Sequence, residues 1–447
     1  MNKTTTIKNL PRLDSINGEI GWFEICKDKE QKIGTTLTHN LAVDFAIIGA
    51  GIAGVSTAYG LASKYPNATI ALIESLKIGQ GTSSRNAGFI IDLPHNLDGS
   101  EPNITHDRKI YELNCFAIDF VKNLVESYGI DCQWQKAGKY MCANEDKNIA
   151  GLDAFEKHLA PCGFEFKRLK GEDLAQRLGT NYYKEAVFTP DNILLNPSAL
   201  MRGLVKHLPK NVAVYEESPV IKVEENNAKK TVKTPSGTVE CKTLILTLDS
   251  HLEEFGYVKH KHAPIFTYAS LSEPLSDNEV KQYLSNVKPY GLTSAHPAGT
   301  TVRFTPDNRI FVRNLLDFFP HLHCSYNDLQ RAYRSTRASF EARFPNLAHK
   351  KFQYTWGGML CMTLNRQSIF GEVAKNVYVI GGSNGVGMAK GVYLGHYLVD
   401  LIAGEKSENL DFILQTNQAS YMPPEPLRSI GAKLRLWWEQ KNAAGDI

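Results

Sequence analysis

Residues 43–54 read VDFAIIGAGIAG, and Glu74 closes the next apolar run, IALIE. An apolar strand (43–48) runs into three glycines, Gly49, Gly51 and Gly54, and then into a helix of small residues (55–63). Gly49 permits a tight turn, Gly51 lets the backbone approach a pyrophosphate, and Gly54 lets the helix pack close to the strand. A pyrophosphate on that turn meets the free N–H groups of the helix start, with Ile52 and Ala53 in its first turn. Glu74, at the end of the second strand, can accept both hydroxyls of an adenosine ribose. Strand, glycines, helix, second strand and acid fall in register, so the segment reads as a dinucleotide site rather than a chance glycine turn.

The bulk composition narrows the classes. A chain of 447 residues can bury large cores and should hold two or three domains. Hydrophobic content of 43% and charged content of 22% are those of a globular protein, and a net charge of +3 gives no reason to invoke nucleic acid. Eight cysteines are scattered without a CxxC pair, and no metal-ligand spacing appears. That pattern favours a reducing compartment, so a cytoplasmic protein is expected. The opening residues carry no apolar leader core, and no run reads as an integral membrane segment. The oligomeric state is not legible.

Two further segments bear on which dinucleotide. After Glu74 comes SLKIGQGTSSRNAGFI, a loop rich in Gly, Ser and Thr leading to Arg85, Asn86, Ala87 and Gly88. Such a stretch can offer several backbone N–H groups to a diphosphate and a ring system, although alone it also reads as a solvated loop. Residues 377–387, VYVIGGSNGVG, form a second buried strand ending in glycines, followed by the helical pattern AKGVYLGHYLVDLIAG. Gly385, Val386 and Gly387 would begin that helix, and its positive end could face the pyrimidine edge of a flavin. Two glycine-rich strand-to-helix turns, far apart in the chain, suit one long ligand.

On these residues the chain resembles FAD-dependent amine and amino-acid oxidoreductases of the D-amino-acid oxidase superfamily, and within it the γ-glutamylputrescine oxidase branch. The likeness runs from about Gly21 to about residue 435. It is carried by IIGAGIAG (47–54), GQGTSSRNAGF (79–89), LLNPSAL (194–200), SPVIKVE (218–224), VRFTPDNRIFVRN (302–314), WGGMLCMT (356–363) and GGSNGVGMA (381–389). It implies an α/β (α+β) fold, a Rossmann-like FAD-binding domain interleaved with a mixed or antiparallel-sheet substrate domain. The FAD-binding domain would take 41–95, 186–250 and 352–404, and the substrate domain 96–185 and 251–351. Residues 1–40 read as an arm packed on the surface. Around Ser236-Gly237 and Pro306-Asp307-Asn308 the pattern predicts two hairpins, with an acidic turn ENNAKK before the first. The tail, 405–447, is basic and carries Trp437-Trp438. It reads as a helix docked on the body in preference to one lying on a membrane surface, and the resemblance strengthens that preference.

FAD is thus the expected cofactor, held by Gly49, Gly51, Ile52, Ala53, Gly54, Glu74, Ser75, Ser84, Arg85, Asn86, Ala87, Gly88, Val220, Gly382, Gly385, Val386 and Gly387. The resemblance implies that Val220 meets the adenine through its backbone and that 85–88 line the flavin. No cysteine lies within 75–95, which argues against a disulfide reductase, and no Gly-Asp pair stands at 381–385, which argues against an aromatic hydroxylase. Glycine oxidase and D-amino-acid oxidase place a carboxylate-gripping arginine four residues after the strand tryptophan. Counted from Trp356 that position is Leu360, so an amine, or an acid gripped elsewhere, fits better than a simple α-amino acid. Cys361 stands beside it, either as a covalent flavin link or as a small buried residue, the second being favoured.

The expected reaction is oxidation of a primary or secondary amine to imine or aldehyde, with oxygen or another acceptor reoxidising the flavin. An amino-acid dehydrogenase feeding a quinone or protein, and a flavin-binding protein without turnover, remain the alternatives. Polar candidates are His296, before the 302–314 hairpin, and Arg303, mid-strand, where it could face an acidic substrate tail. Arg309 reads as a hairpin partner and His396 as a packing histidine.

Overall fold

The computed structural model describes residues 3–10, 18–94, 103–225 and 229–447. Five strands run parallel in the order Val212–Tyr215, Ile70–Ile73, Asn40–Ile48, Thr238–Leu246 and Val377–Gly381. Burial on both faces demands near-continuous apolar runs, and Ala46, Ile47, Leu72, Leu244 and Ile245 are fully enclosed. The strand Thr238–Leu246 forks the sheet. Its first half pairs antiparallel with Lys230–Lys233, which leads through Lys222–Glu225 to the edge strand Lys3–Thr6. The expected hairpin at Ser236-Gly237 is present, closed by Thr234 N donating to Gly237 O at 2.9 Å. Residues 226–228 of the expected acidic turn, and the domain boundary at 95, lie outside the described residues.

Two helices, Ile52–Lys64 and Gly387–Ala403, pack on this sheet side by side. A Cβ on Gly391 would stand 2.7 Å from Ile52 Cγ2, one on Gly395 2.8 Å from Ser56 Cβ, and one on Gly60 2.9 Å from Val399 Cγ2. These contacts advance in step, so the helices run in the same direction. Ser56 Oγ seals the contact by donating to Val392 O at 2.7 Å.

A second, eight-stranded sheet runs Phe352–Met362, Ala263–Ser272, Ile310–Phe318, Thr301–Phe304, Tyr290–Ser294, Lys139–Ala143, Glu185–Thr189, Lys167–Lys170. Its neighbours are antiparallel except where Tyr290–Ser294 meets Lys139–Ala143. The expected turn at 306–308 is present, with Asn308 at φ 59° and Thr305 N donating to Arg309 O. Helix Tyr326–Arg343 covers one face of the first strands, where Thr336 Oγ1 meets Ser270 Oγ at 2.7 Å. Residues 186–189 and Phe352–Met362, grouped from sequence with the nucleotide-binding segments, hydrogen-bond within this second sheet. Their partners lie far off in the chain, and local patterning does not reveal such pairing.

The amino-terminal arm does not stay on the surface. Ile20, Trp22 and Phe23 are buried, and Trp22 is fully enclosed between Phe311, stacked at 5.2 Å, and Trp356, edge-on at 6.3 Å. A short helix, Gly21–Glu24, carries it there, and a Cβ at Gly21 would crowd Trp356 and Leu271. At the other end, helix Leu427–Ala443 is docked on the body, as expected. Its inner face places Ala432 and Leu436 in a cluster with Ile265, Leu316, Phe318 and Leu360. Gln440 grips both backbone groups of Leu316 at 3.1 and 3.0 Å, and Arg428 pairs with Glu253. Beyond the helix Asp446 is buried, accepting from Asn144 N, Asn148 Nδ2 and Ser294 Oγ. The outer face leaves Leu427, Ile430, Leu434, Trp437 and Trp438 exposed. No helix among the described residues is long and apolar enough to cross a membrane.

Deleting an enclosed indole leaves a cavity, so Trp22→Ala should cost about 3–5 kcal/mol of unfolding free energy. Trp438→Ala, on the exposed face, should stay within about 0.5 kcal/mol. Urea unfolding of both variants checks this, and equal midpoints would contradict the buried arm.

Candidate functional site

At the carboxyl ends of the parallel strands the two glycine turns stand side by side. Gly49, at φ 101°, makes the first turn, and a Cβ on Gly54 would collide with the carbonyl of Gly49. Gly51 is the N-cap of helix Ile52–Lys64, and a Cβ there would stand 2.9 Å from Ser83 Oγ. Ser83 Oγ accepts from Ile52 N at 3.0 Å, so a side-chain oxygen already occupies the anion-attracting start of the helix. Sequence reasoning chose Ser84 instead. Ser84 is buried in the 3-10 turn Thr82–Ser84, and it is the neighbouring hydroxyl that meets the helix. The signal was the doubled serine, but only the turn geometry tells the two apart.

Glu74 lies where the acid should be. Its carboxylate accepts from Ala50 N at 2.9 Å and Leu76 N at 3.0 Å, and burial pushes its pKa up against those hydrogen bonds. Ser75 follows it in the chain. The segment of Val220 comes alongside, because Ser218 N donates to Glu74 O at 2.9 Å and Val220 is buried next to the sheet. Glu216, not singled out from sequence, is buried there too. It accepts from Ile33, Gly34 and Ile78 N–H groups and ties the arm to the nucleotide sheet.

The second turn is more heavily braced. Gly382, Asn384 and Gly385 all have positive φ, 70°, 52° and 82°. Asn384 Oδ1 accepts from Thr363 N at 2.8 Å, while its Nδ2 donates to Gly382 O and Arg366 O. Asp249, another acid the sequence reading missed and half-buried, accepts from Ser383 N and Oγ. Val386 is the N-cap of helix Gly387–Ala403, whose start extends one turn past that of the first helix. Two helix N-termini therefore open toward the same end. Lys390, within the first turns of the second helix, is lowered to about 8 by burial, with Asp249 opposing the shift. The Cys361 thiol is fully enclosed beside Asp249 and pushed well above its usual range, chiefly by burial. A thiol so held is unreactive, which supports the small buried residue over the covalent link.

Loop 79–88 bridges the two sheets. Arg85 donates through Nη1 to Gly357 O at 2.9 Å and through Nε to Gln80 O, and Trp356 Nε1 donates back to Arg85 O at 3.1 Å. Trp22 Nε1 donates to Asn86 O, and Asn86 Oδ1 accepts from Gly88 N. Gly88, at φ 74°, could carry no Cβ without striking Arg303 and Leu195 O. This corrects the expectation for Arg303. Its guanidinium is fully buried, donates through Nη1 to Ala87 O and Leu195 O at 2.8 Å each, and lies over the Trp22 ring. Its Nη1 is committed to bracing the loop.

His296 is corrected likewise. Its Nδ1 accepts from Ala298 N at 3.2 Å within its own turn, and its Nε2 lies 3.6 Å from Glu439 of the carboxy-terminal helix. Arg309 pairs with Asp307 inside its hairpin and His396 packs on Phe116, both as expected. Among the described residues no group of three or more His, Cys, Asp or Glu is placed to hold a metal.

The cradle fits FAD on the structure's own terms. Glycines stand where side chains would collide, an acid is held at the end of the second strand, and two helix starts share one end of the sheet. Comparison with known proteins agrees. The family model described as FAD dependent oxidoreductase (DAO) matches residues 44–401. The chain is 25% identical over 379 residues to a probable oxidoreductase, OrdL, of Haemophilus influenzae, covering 83% of this chain and 85% of that one. It is 23% identical over 377 residues to the γ-glutamylputrescine oxidoreductase of Escherichia coli, covering 83% and 86%. Among solved structures it superposes on glycine oxidase from Geobacillus kaustophilus with a TM-score of 0.69 at 16% identity, over 82% of this chain and 96% of the other.

Gly54→Ala places a methyl against backbone that cannot yield, so purified Gly54→Ala protein should carry less than a tenth of the wild-type flavin. A Cβ at Gly404, at φ 70° beyond the far end of the second helix, meets nothing within 4 Å. Gly404→Ala should bring only backbone strain of about 1–2 kcal/mol and keep most of its flavin. Flavin absorbance per polypeptide after gel filtration decides between them.

Proposed function

The chain belongs to the DAO family of FAD-dependent oxidoreductases, and we propose that it oxidises the C–N bond of a primary or secondary amine to the imine, which water opens to the aldehyde or ketone. Bound FAD supplies the acceptor for the hydride leaving the carbon next to nitrogen. In this reading Glu74 accepts the ribose hydroxyls, and the N–H groups of Gly51, Ile52 and Ala53 with the Ser83 hydroxyl take the diphosphate. Val220 meets the adenine through its backbone. Residues 85–88 hold the ring system, and the start of helix Gly387–Ala403 stabilises negative charge at its pyrimidine edge.

The observation that carries the reading is the face of the second sheet set against loop 85–88. Trp356 and Phe311 are fully enclosed with Trp22 behind it, and Gly358 lets the loop lie close to the sheet, since a Cβ there would stand 3.3 Å from both Cβ and O of Arg85. The loop expected to hold the ring is thus backed by an apolar face, of the kind that excludes water and keeps an amine neutral. The names of the relatives agree in chemistry, a γ-glutamylputrescine oxidoreductase by sequence, glycine oxidase and an L-amino acid deaminase by fold.

Anaerobic mixing with a panel of amines and amino acids tests the proposal. At least one amine should bleach the flavin band near 450 nm, a position expected of the cofactor. A panel in which no amine does so would sink it. Admitting air afterwards should restore the band with hydrogen peroxide formed. Recovery only with a quinone or dye would identify a dehydrogenase.

A further inference from the structure

We propose that the outer face of helix Leu427–Ala443 is a membrane-docking surface, and that what covers it is a bilayer carrying anionic phospholipid. The inference is independent of the reaction proposed above.

The helix carries two apolar stripes, and the body covers only one. Ala432 and Leu436 meet the second sheet, and Ala443 is buried below them. At helical spacing, Leu427, Ile430, Leu434, Trp437 and Trp438 fall on the opposite side, within an arc of about 100°. Each of the five is 50–62% exposed. Exposed apolar side chains on a protein surface ordinarily stand singly, and a contiguous set marks a contact surface. The stripe continues beyond the helix. Tyr421 is exposed just ahead of it, its ring 5.5 Å from that of His260. Leu364 is exposed on the adjoining loop, where Asn365 Oδ1 accepts from Ser420 N at 3.1 Å.

The charges around the stripe point to what covers it. By the same spacing Lys433 borders it on one side and Arg435 on the other, and both are exposed. Lys441 stands at its carboxyl end, with Nζ 5.1 Å from the centre of the Trp437 ring, and the Arg435 guanidinium lies 5.1 Å from that of Trp438. The one acid of the helix, Glu439, is half-buried on the inner side, between Arg435 and His296. Lys259 adds an exposed cation on the loop whose His260 O accepts from Met422 N. The rim is therefore net positive.

An apolar stripe with a cationic rim fits the boundary between acyl chains and anionic headgroups. Such a helix lies in the plane of the interface with its apolar face about 5–10 Å deep. Indoles settle at headgroup level, and lysine and arginine stems lie along apolar surface while their charged ends reach phosphate. The same charges oppose a second copy of the chain, because two such faces brought together would set cation against cation. No residue of the face belongs to the flavin cradle. The loop bearing Leu364 only buttresses it, through Thr363 N and Arg366 O on Asn384.

The test mixes purified flavin-loaded protein with sedimentable vesicles of phosphatidylcholine, with and without phosphatidylglycerol, and measures the fraction pelleted against lipid concentration. Vesicles containing phosphatidylglycerol should bind at least tenfold more tightly than neutral ones, and added salt should weaken that binding. The double variants Trp437→Gln/Trp438→Gln and Lys433→Glu/Lys441→Glu should each lose at least tenfold in affinity for the anionic vesicles, with flavin content and unfolding midpoint unchanged. Ile430→Gln/Leu434→Gln gives the same reading if the tryptophan variant fails to fold. No binding to anionic vesicles, equal binding to both compositions, or wild-type binding in either kind of variant overturns the proposal. So does a dimer in sedimentation velocity that the tryptophan variant splits while no vesicle binds, which gives the face to a second copy.

Discussion

The buried guanidinium of Arg85 is the constraint on which the two sheets depend. It sits on a loop belonging to neither, donates to Gly357 in the second sheet, and has its own carbonyl capped by the Trp356 indole. Hydrogen bonds thus cross the seam in both directions. A charge-assisted bond of this kind contributes about 1.5–3 kcal/mol, and a partner left without it would be a buried unsatisfied group. Burial lowers Arg85 to about 10 without discharging it at neutral pH. The other braces follow from this contact. Arg303 takes the carbonyl of Ala87, Trp22 takes that of Asn86, and loop 79–88 becomes a fixed floor between domains instead of a solvated connection.

Fixing that floor allows the cradle to be made of backbone. The two helices approach so closely that Gly391 and Gly395 are required where they meet, and their starts open toward the same end only because they run in parallel. Each helix start then contributes partial positive charge to the same end of the sheet. The second start needs three residues of positive φ in a row of four, a strained turn held by Asn384 and Asp249 from within. Strain held by buried hydrogen bonds is typical of sites where position matters more than stability.

The carboxy-terminal helix explains the departure at Leu360. In packing Ala432 and Leu436 onto Leu316, Phe318 and Leu360, it turns the far end of the strand Phe352–Met362 into core. An arginine there would be a buried charge under an apolar roof. Residues toward Trp356 on the same strand remain outside that roof, so the part of the sheet available to a substrate is the part beside loop 85–88. His296 was drawn into the seam of this same helix, which is why its position before the hairpin was misleading.

Local chemistry settled a good deal from the sequence. The glycine spacing, the acid at 74, both hairpins and the helix following residue 387 were all legible, because a turn, a period of two or a close backbone approach leaves its mark within a few residues. The family followed from the same short motifs. What the sequence could not supply was which side chains meet across the sheets. Ser83 rather than Ser84 reaches the helix start, Trp22 dives into the core from an arm that reads as surface, and Arg303 braces a loop while Arg313, two pleats away on the neighbouring strand, keeps only threonines for company. All four are decided by pairing between residues far apart in the chain. In a strand, a one-residue difference in register or turn moves a side chain to the opposite face, and only the tertiary structure fixes that register.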